Sequence, residues 1–179
     1  CEDPEINRLA KAASMSEDLA EHSVMRPVKS EAKSIQKAIA LVKKYGTAFH
    51  VAHLSSKRGL EFVTKAKQEG LPITCEVAPH HLLLSTNDYE HLGTLCKMNP
   101  PVRGVADNEA LWQALEEGTV DCVATDHAPH TLAEKQEGKP LDAPSGVPGV
   151  ETALPILLNR LKPERIYKLM FENPNRIFG

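Results

Sequence analysis

The chain has 179 residues, 41% hydrophobic and 25% charged, an ordinary composition for a globular protein with one adequate core. Its formal net charge of −3 excludes a basic face that recruits nucleic acid or anionic lipid. No apolar run reaches the roughly 18 residues of a membrane span, and no secretory signal opens a chain that begins with Cys1 rather than Met.

Helical and strand patterns alternate along the chain. Ser30 is placed to cap a helix in which Ile35, Ala38, Ile39 and Val42 recur every three or four residues, with Gly46 as its stop. Residues 47–54 (TAFHVAHL) read as a buried strand. Ser55 and Ser56 then cap a helix carrying Leu60, Val63 and Ala66, which stops at Gly70. Residues 71–78 (LPITCEVA) form the next strand pattern, and a short one lies near 96–99. Asp107 or Asn108 starts a third helix with Leu111, Trp112 and Leu115 on its apolar face, ended by Gly118. Residues 119–125 (TVDCVAT) make another strand, residues 131–144 one long irregular segment, and residues 150–161 and 164–171 two helices. The irregular segment reads equally as an active-site lid or a surface loop. The four cysteines, Cys1, Cys75, Cys96 and Cys122, show neither a CxxC pair nor disulfide-like spacing. Cys75 and Cys122 sit inside apolar strands as small hydrophobes, which favours a reducing cytoplasm.

Strands separated by helices of this length build a parallel sheet. His53, His80, His81 and Asp126 all follow predicted strands, and polar residues at three successive strand ends favour a (β/α)₈ barrel over an open sheet. A whole barrel takes about 250 residues. The expected fold is therefore α/β, a partial barrel containing the later strands only, with residues 1–179 as one catalytic-domain segment.

The strongest chemical signal is the run Thr125-Asp126-His127-Ala128-Pro129-His130 at a strand end. A carboxylate there can ligate a metal and accept a proton from water; the plain alternative is a turn or helix cap. In the run 50–56 (HVAHLSS), strand alternation sends His50 and His53 to opposite sides. His53, nearer the mouth, is the better metal ligand, and His50 is expected on the helix-facing side. His80 and His81 are read as supporting residues, though either imidazole suits zinc. His22 and His91 carry no signal. Asn99, beside Pro100 and Pro101, is a rigid amide suited to a polar planar ligand, or else part of a turn. Residues 144–149 (PSGVPG) lack the lysine and spacing of a phosphate loop and suit close approach of backbone to a ligand.

The segments KMNPPVR (97–103), ATDHAPH (124–130) and APSGVPGVETALP (143–155) resemble the signatures of the dihydroorotases, cyclic amidohydrolases of the metal-dependent hydrolase class. HVAHLSS, CEVAPHHLLL (75–84), the opening CED and the closing ENPNRIFG agree, so the resemblance spans essentially the whole chain. It implies a zinc-dependent hydrolase that interconverts L-dihydroorotate and N-carbamoyl-L-aspartate in pyrimidine synthesis. On that resemblance His53 binds one zinc of a pair, and Asp126 binds the other and serves as general base and acid. Asn99 and His130 hold the substrate, and the backbone at Ser145 and Gly146 contacts its ring. The family's His-x-His pair, its bridging carboxylate and its small β-rich domain have no counterpart in these residues. The chain is accordingly expected to need an N-terminal barrel half, and not to fold stably without it. The small-molecule substrate is the expected partner, with a homo-oligomer or an aspartate transcarbamoylase complex as candidate assemblies. Two rival readings are a hydantoinase or allantoinase, and a non-catalytic dihydroorotase-like scaffold of the transcarbamoylase.

Overall fold

The computed structural model describes residues 1–179, an α/β arrangement built on three short parallel strands. β1 (Phe49–Val51), β2 (Ile73–Val77) and β3 (Cys122–Val123) lie in the order β1-β2-β3. His50 is registered against Thr74, and Glu76 against Cys122. Parallel neighbours require crossovers. The helix Lys57–Gln68 links β1 to β2, and the helices Pro79–Leu83 and Val105–Glu117 lie between β2 and β3.

The strands are shorter than the apolar runs that encode them, because the backbone leaves β geometry while still exchanging hydrogen bonds with its neighbour. Leu54 N–H donates to the Glu76 carbonyl at 2.9 Å, and Ala124 N–H to that of Val77 at 3.2 Å. The expected fourth strand near 96–99 does not form. Residues Gly93–Cys96 make a 3₁₀ turn, and Pro100 and Pro101, which lack N–H groups, leave only one bridge, between Ser85 and Arg103.

Two of the three helix starts are displaced from their expected caps. The helix Val28–Tyr45 begins before Ser30, whose buried hydroxyl instead accepts from Asp3 N–H at 2.8 Å. Its end at Gly46, with φ 67°, is as expected. Ser56 does cap its helix, accepting from Gly59 N–H at 3.1 Å. The helix Val105–Glu117 starts ahead of Asp107, whose carboxylate reaches back to Gly104 N–H at 3.2 Å and across to Lys57 N–H at 2.8 Å. One aspartate thereby ties the N-termini of two crossover helices together. The segment 131–144 is not irregular throughout: it holds a helix, Leu132–Gln136, capped by Thr131, and a 3₁₀ turn, Pro140–Asp142. The C-terminal helical stretch runs farther than residue 171, through Pro163–Tyr167, a π turn at Lys168–Glu172, and Asn173–Phe178.

The core lies between one face of the sheet and the crossover helices. Val51, Ile73, Cys75, Val77 and Val123 pack there with Ile35, Val63, Leu111, Leu115 and Leu169. Since Val51 occupies that face, His50 must occupy the other. The expectation that His50 faces the helices is therefore not met for the crossover helices: it bonds Thr74 Oγ1 through Nδ1 at 2.7 Å and Glu76 through Nε2 at 3.0 Å, and its ring packs edge-on against Phe178 of the C-terminal helix at 5.0 Å. All four cysteines are free, and no helix is long and apolar enough to cross a membrane.

Candidate functional site

Each strand ends in a polar group: His53 after β1, His80 after β2 and Asp126 after β3. His53 and Asp126, with φ of 38° and 47°, are the only non-glycine residues with positive φ in the chain. Side chains other than glycine pay about 1–3 kcal/mol for sparsely populated backbone, and such residues concentrate at functional sites. For His53 this conformation also ends β1, so simple strand alternation does not describe where it points.

The imidazole nitrogens near this edge are poorly satisfied. His53 Nδ1 and His80 Nε2 are buried without a hydrogen-bond partner. Burial pushes the His80 imidazole down to about 4; the nearby Asp126 charge opposes that shift and His53 reinforces it. In the strand order, His80 follows β2, the middle strand, while His53 and Asp126 follow the two outer ones. His81 points elsewhere, its Nε2 donating to the Pro100 carbonyl at 2.9 Å while Asn108 donates to its carbonyl at 2.7 Å.

The loops that carry the other predicted residues are laced together. His127 Nδ1 accepts from Gly149 N–H at 3.0 Å and from Val150 N–H at 3.3 Å, and Ala128 N–H donates to the Val147 carbonyl at 3.1 Å. Gly146 N–H donates to the Lys97 carbonyl at 2.9 Å. A Cβ on Gly146, whose φ is +146°, would lie 2.6 Å from the Ala128 carbonyl oxygen and 3.3 Å from His130 Cδ2. The loop of Gly146 therefore lies directly on the segment of Asp126 and His130. Gly146→Ala should destabilise the fold by about 1–3 kcal/mol, since backbone at such range cannot yield. Urea unfolding checks this; an unchanged midpoint would mean the loops are not packed this way.

Asn99 and Ser145 line one cleft of about 450 Å³ together with His22, Arg26 and Lys97. Neither His53 nor Asp126 lines it, so the six predicted residues fall into three groups: the strand-end pair, the Asn99–Ser145 cleft, and the Gly146–His130 contact.

Three residues that carried no sequence signal, or a misleading one, hold these loops. Lys135, in the charged segment 131–144, is 3% exposed, and its ammonium donates to the carbonyls of Lys97, Pro144 and Gly146 at 2.9–3.0 Å. Lys97 in turn donates to the carbonyls of Leu141 and Ala143. His22, in a short polar helix, donates from Nε2 to the Met98 carbonyl at 2.9 Å, a contact between residues 76 positions apart. Nothing local in the sequence marks Lys135 or His22 for these contacts.

Burial lowers the His22 imidazole to about 4 from its ordinary 6.5. The folded state thus holds it neutral where the unfolded chain takes up a proton. Its contribution to stability is present above pH 6.5 and is lost as the pH falls toward 4, up to about 3 kcal/mol in all. Urea unfolding on either side of that window should show a steeper acid loss for the natural chain than for His22→Gln; parallel profiles would refute it.

The fold is similar to that of solved cyclic amidohydrolases. The L-hydantoinase of Arthrobacter aurescens superposes on 98% of the chain with a TM-score of 0.89 and 35% identity, and the chain covers 40% of it. The D-hydantoinase of a Thermus species superposes on 100% with a TM-score of 0.92 and 27% identity, 42% of it being covered. No family model matches the chain. In sequence, a dihydroorotase of Halobacterium salinarum is 41% identical over 98% of the chain, and one of Methanosarcina mazei 44% identical over 88%. The chain is thus similar to dihydroorotases over nearly its whole length, and it spans 41% and 37% of the length of these two relatives.

Proposed function

We propose that the chain is the later part of the barrel of a metal-dependent dihydroorotase, which hydrolyses the ring amide of L-dihydroorotate reversibly to N-carbamoyl-L-aspartate. The observation that carries this reading is the strand-end constellation. The two family-predicted ligands, His53 and Asp126, are the chain's only non-glycine residues at positive φ, and they follow the strands on either side of the one that His80, with its buried, unpartnered nitrogen, follows.

Imidazole and carboxylate are ordinary zinc donors, and orphaned buried imidazole nitrogens fit a cation better than they fit an apolar core. His53 and Asp126 would hold zinc, two ions in a complete site, with further ligands from the portion of the relatives that this chain does not span. Zinc supplies Lewis acidity and lets water attack near neutral pH. The chain's own residues do the rest. Asp126 takes a proton from the attacking water and delivers it to the leaving amide nitrogen. Asn99 and Ser145, across one cleft, and His130 with Gly146 orient the substrate. The lysine-braced loops keep those groups in register.

The structural neighbours are hydantoinases, so the experiment must separate the two substrates. Purified protein should hydrolyse dihydroorotate with a larger kcat/KM than a five-membered hydantoin. The reverse preference would reassign the site to hydantoins, and turnover of neither by protein that includes the rest of the barrel would favour a scaffold.

A further inference from the structure

Lower on the same three strands lies a second group of donors that the proposed reaction does not use. His50 on β1, Glu76 on β2 and Cys122 on β3 present one ligand atom each, all within 4.8 Å of one another. The register explains the meeting. Glu76 is paired with Cys122, and His50 with Thr74 two residues earlier on β2, so all four side chains share the face opposite the main core, where the Phe178 ring of the C-terminal helix packs edge-on against His50 at 5.0 Å. Cys122 is buried yet absent from the main apolar cluster, which takes Val123 and Cys75 instead. The His50 and Glu76 side chains are 15% and 16% exposed in this chain, and Cys122 is 2% exposed.

We infer that His50, Glu76 and Cys122 form a second metal site, selective for a thiophilic divalent cation of the zinc or cadmium type. A thiolate with an imidazole favours such ions over magnesium or calcium. Donor atoms around tetrahedral zinc stand roughly 3.4–3.6 Å apart, given bond lengths near 2.0–2.3 Å, so the group needs to contract by about 1 Å through side-chain rotation. His50 is already oriented as a ligand. Thr74 Oγ1 holds its Nδ1 at 2.7 Å, and the cation would replace the 3.0 Å contact between Nε2 and Glu76. Binding forms a metal–sulfur bond, breaks the Cys122 S–H bond and releases that proton to solvent, leaving one coordination position for water. The site stands apart from the dihydroorotase reading, whose ligands His53 and Asp126 include no sulfur.

Cadmium alone, titrated into metal-free protein, tests this. An ultraviolet sulfur-to-cadmium charge-transfer band should rise to saturation at one equivalent of thiolate-bound metal per chain. It should vanish in Cys122→Ser and persist in Asp126→Asn. Absence of the band, or its survival in Cys122→Ser, would overturn the site. Thr74→Val leaves all three donors in place and should weaken cadmium binding about 10- to 100-fold, as loss of an orienting partner does; unchanged affinity would count against the site. X-ray absorption of the cadmium-loaded, unsubstituted protein should find one sulfur among the ligands at this stoichiometry, and a shell of nitrogen and oxygen alone would refute it. A failure of dihydroorotate turnover leaves each of these readouts unaffected.

Discussion

Asp126→Asn should lower kcat for dihydroorotate by about 10²- to 10⁴-fold, the usual contribution of a positioned general acid–base group. The fold should survive it. Asp126 is exposed and accepts no hydrogen bond within the chain that the amide would break. Its backbone has φ 47°, and asparagine is among the few residues that enter that region readily. Asp126→Ala would remove the carboxylate and also place alanine in a left-handed conformation, so it confounds chemistry with strain. The isosteric change separates them: a collapse of kcat with an unchanged thermal midpoint supports the assignment. Activity within tenfold of the natural protein would remove Asp126 from the chemistry.

Glu31→Ala should cost about 3–5 kcal/mol of stability, the largest single effect expected outside the site. Glu31 is 1% exposed in the helix Val28–Tyr45. One of its oxygens accepts from Ser55 N–H at 2.9 Å and Ser55 Oγ–H at 2.8 Å, and the other from the Ser56 hydroxyl. Ser55 Oγ in turn accepts from Arg103 Nε at 3.1 Å, so the carboxylate answers a guanidinium that is itself 4% exposed. Burial lowers the Arg103 pKa, and the Glu31 charge is the foremost influence opposing it. Removing Glu31 leaves buried donors unsatisfied and a buried cation poorly compensated. Because Ser55 and Ser56 directly follow His53 and Leu54, the same loss should loosen the turn that presents His53. Urea unfolding gives the stability, and a loss below about 1 kcal/mol would show that the network is not as drawn.

The crossover helices and the identity of the strand-end residues are legible in the sequence, because each rests on local chemistry. Ile35 and Val42 mark an apolar stripe, Gly46 and Gly118 adopt the left-handed stops, and Ser56 is a cap. What is not legible depends on distant partners. Ser30 looks like a cap, but Asp3 claims its hydroxyl from 27 residues away. Strand lengths cannot be read from apolar runs, since His53 and Asp126 leave β geometry at positive φ, which local propensity does not foretell. The face occupied by His50 follows from which neighbour enters the core, and Val51 enters it. Lys135 looks like one more charge in a polar loop until three carbonyls from two other segments and its own are seen around it. Glu31 alone left a trace: it shares the helical stripe of Ile35 and Val42, where a lone carboxylate calls for buried partners.

The most direct test of the central claim is dihydroorotate hydrolysis by purified protein that includes the rest of the barrel, first stripped of metal by a chelator and then resupplied with zinc. The strand-end site predicts negligible turnover after chelation and its recovery on adding zinc, with no recovery in Asp126→Asn. Turnover that is indifferent to the chelator, or recovery that is undiminished in Asp126→Asn, would contradict it.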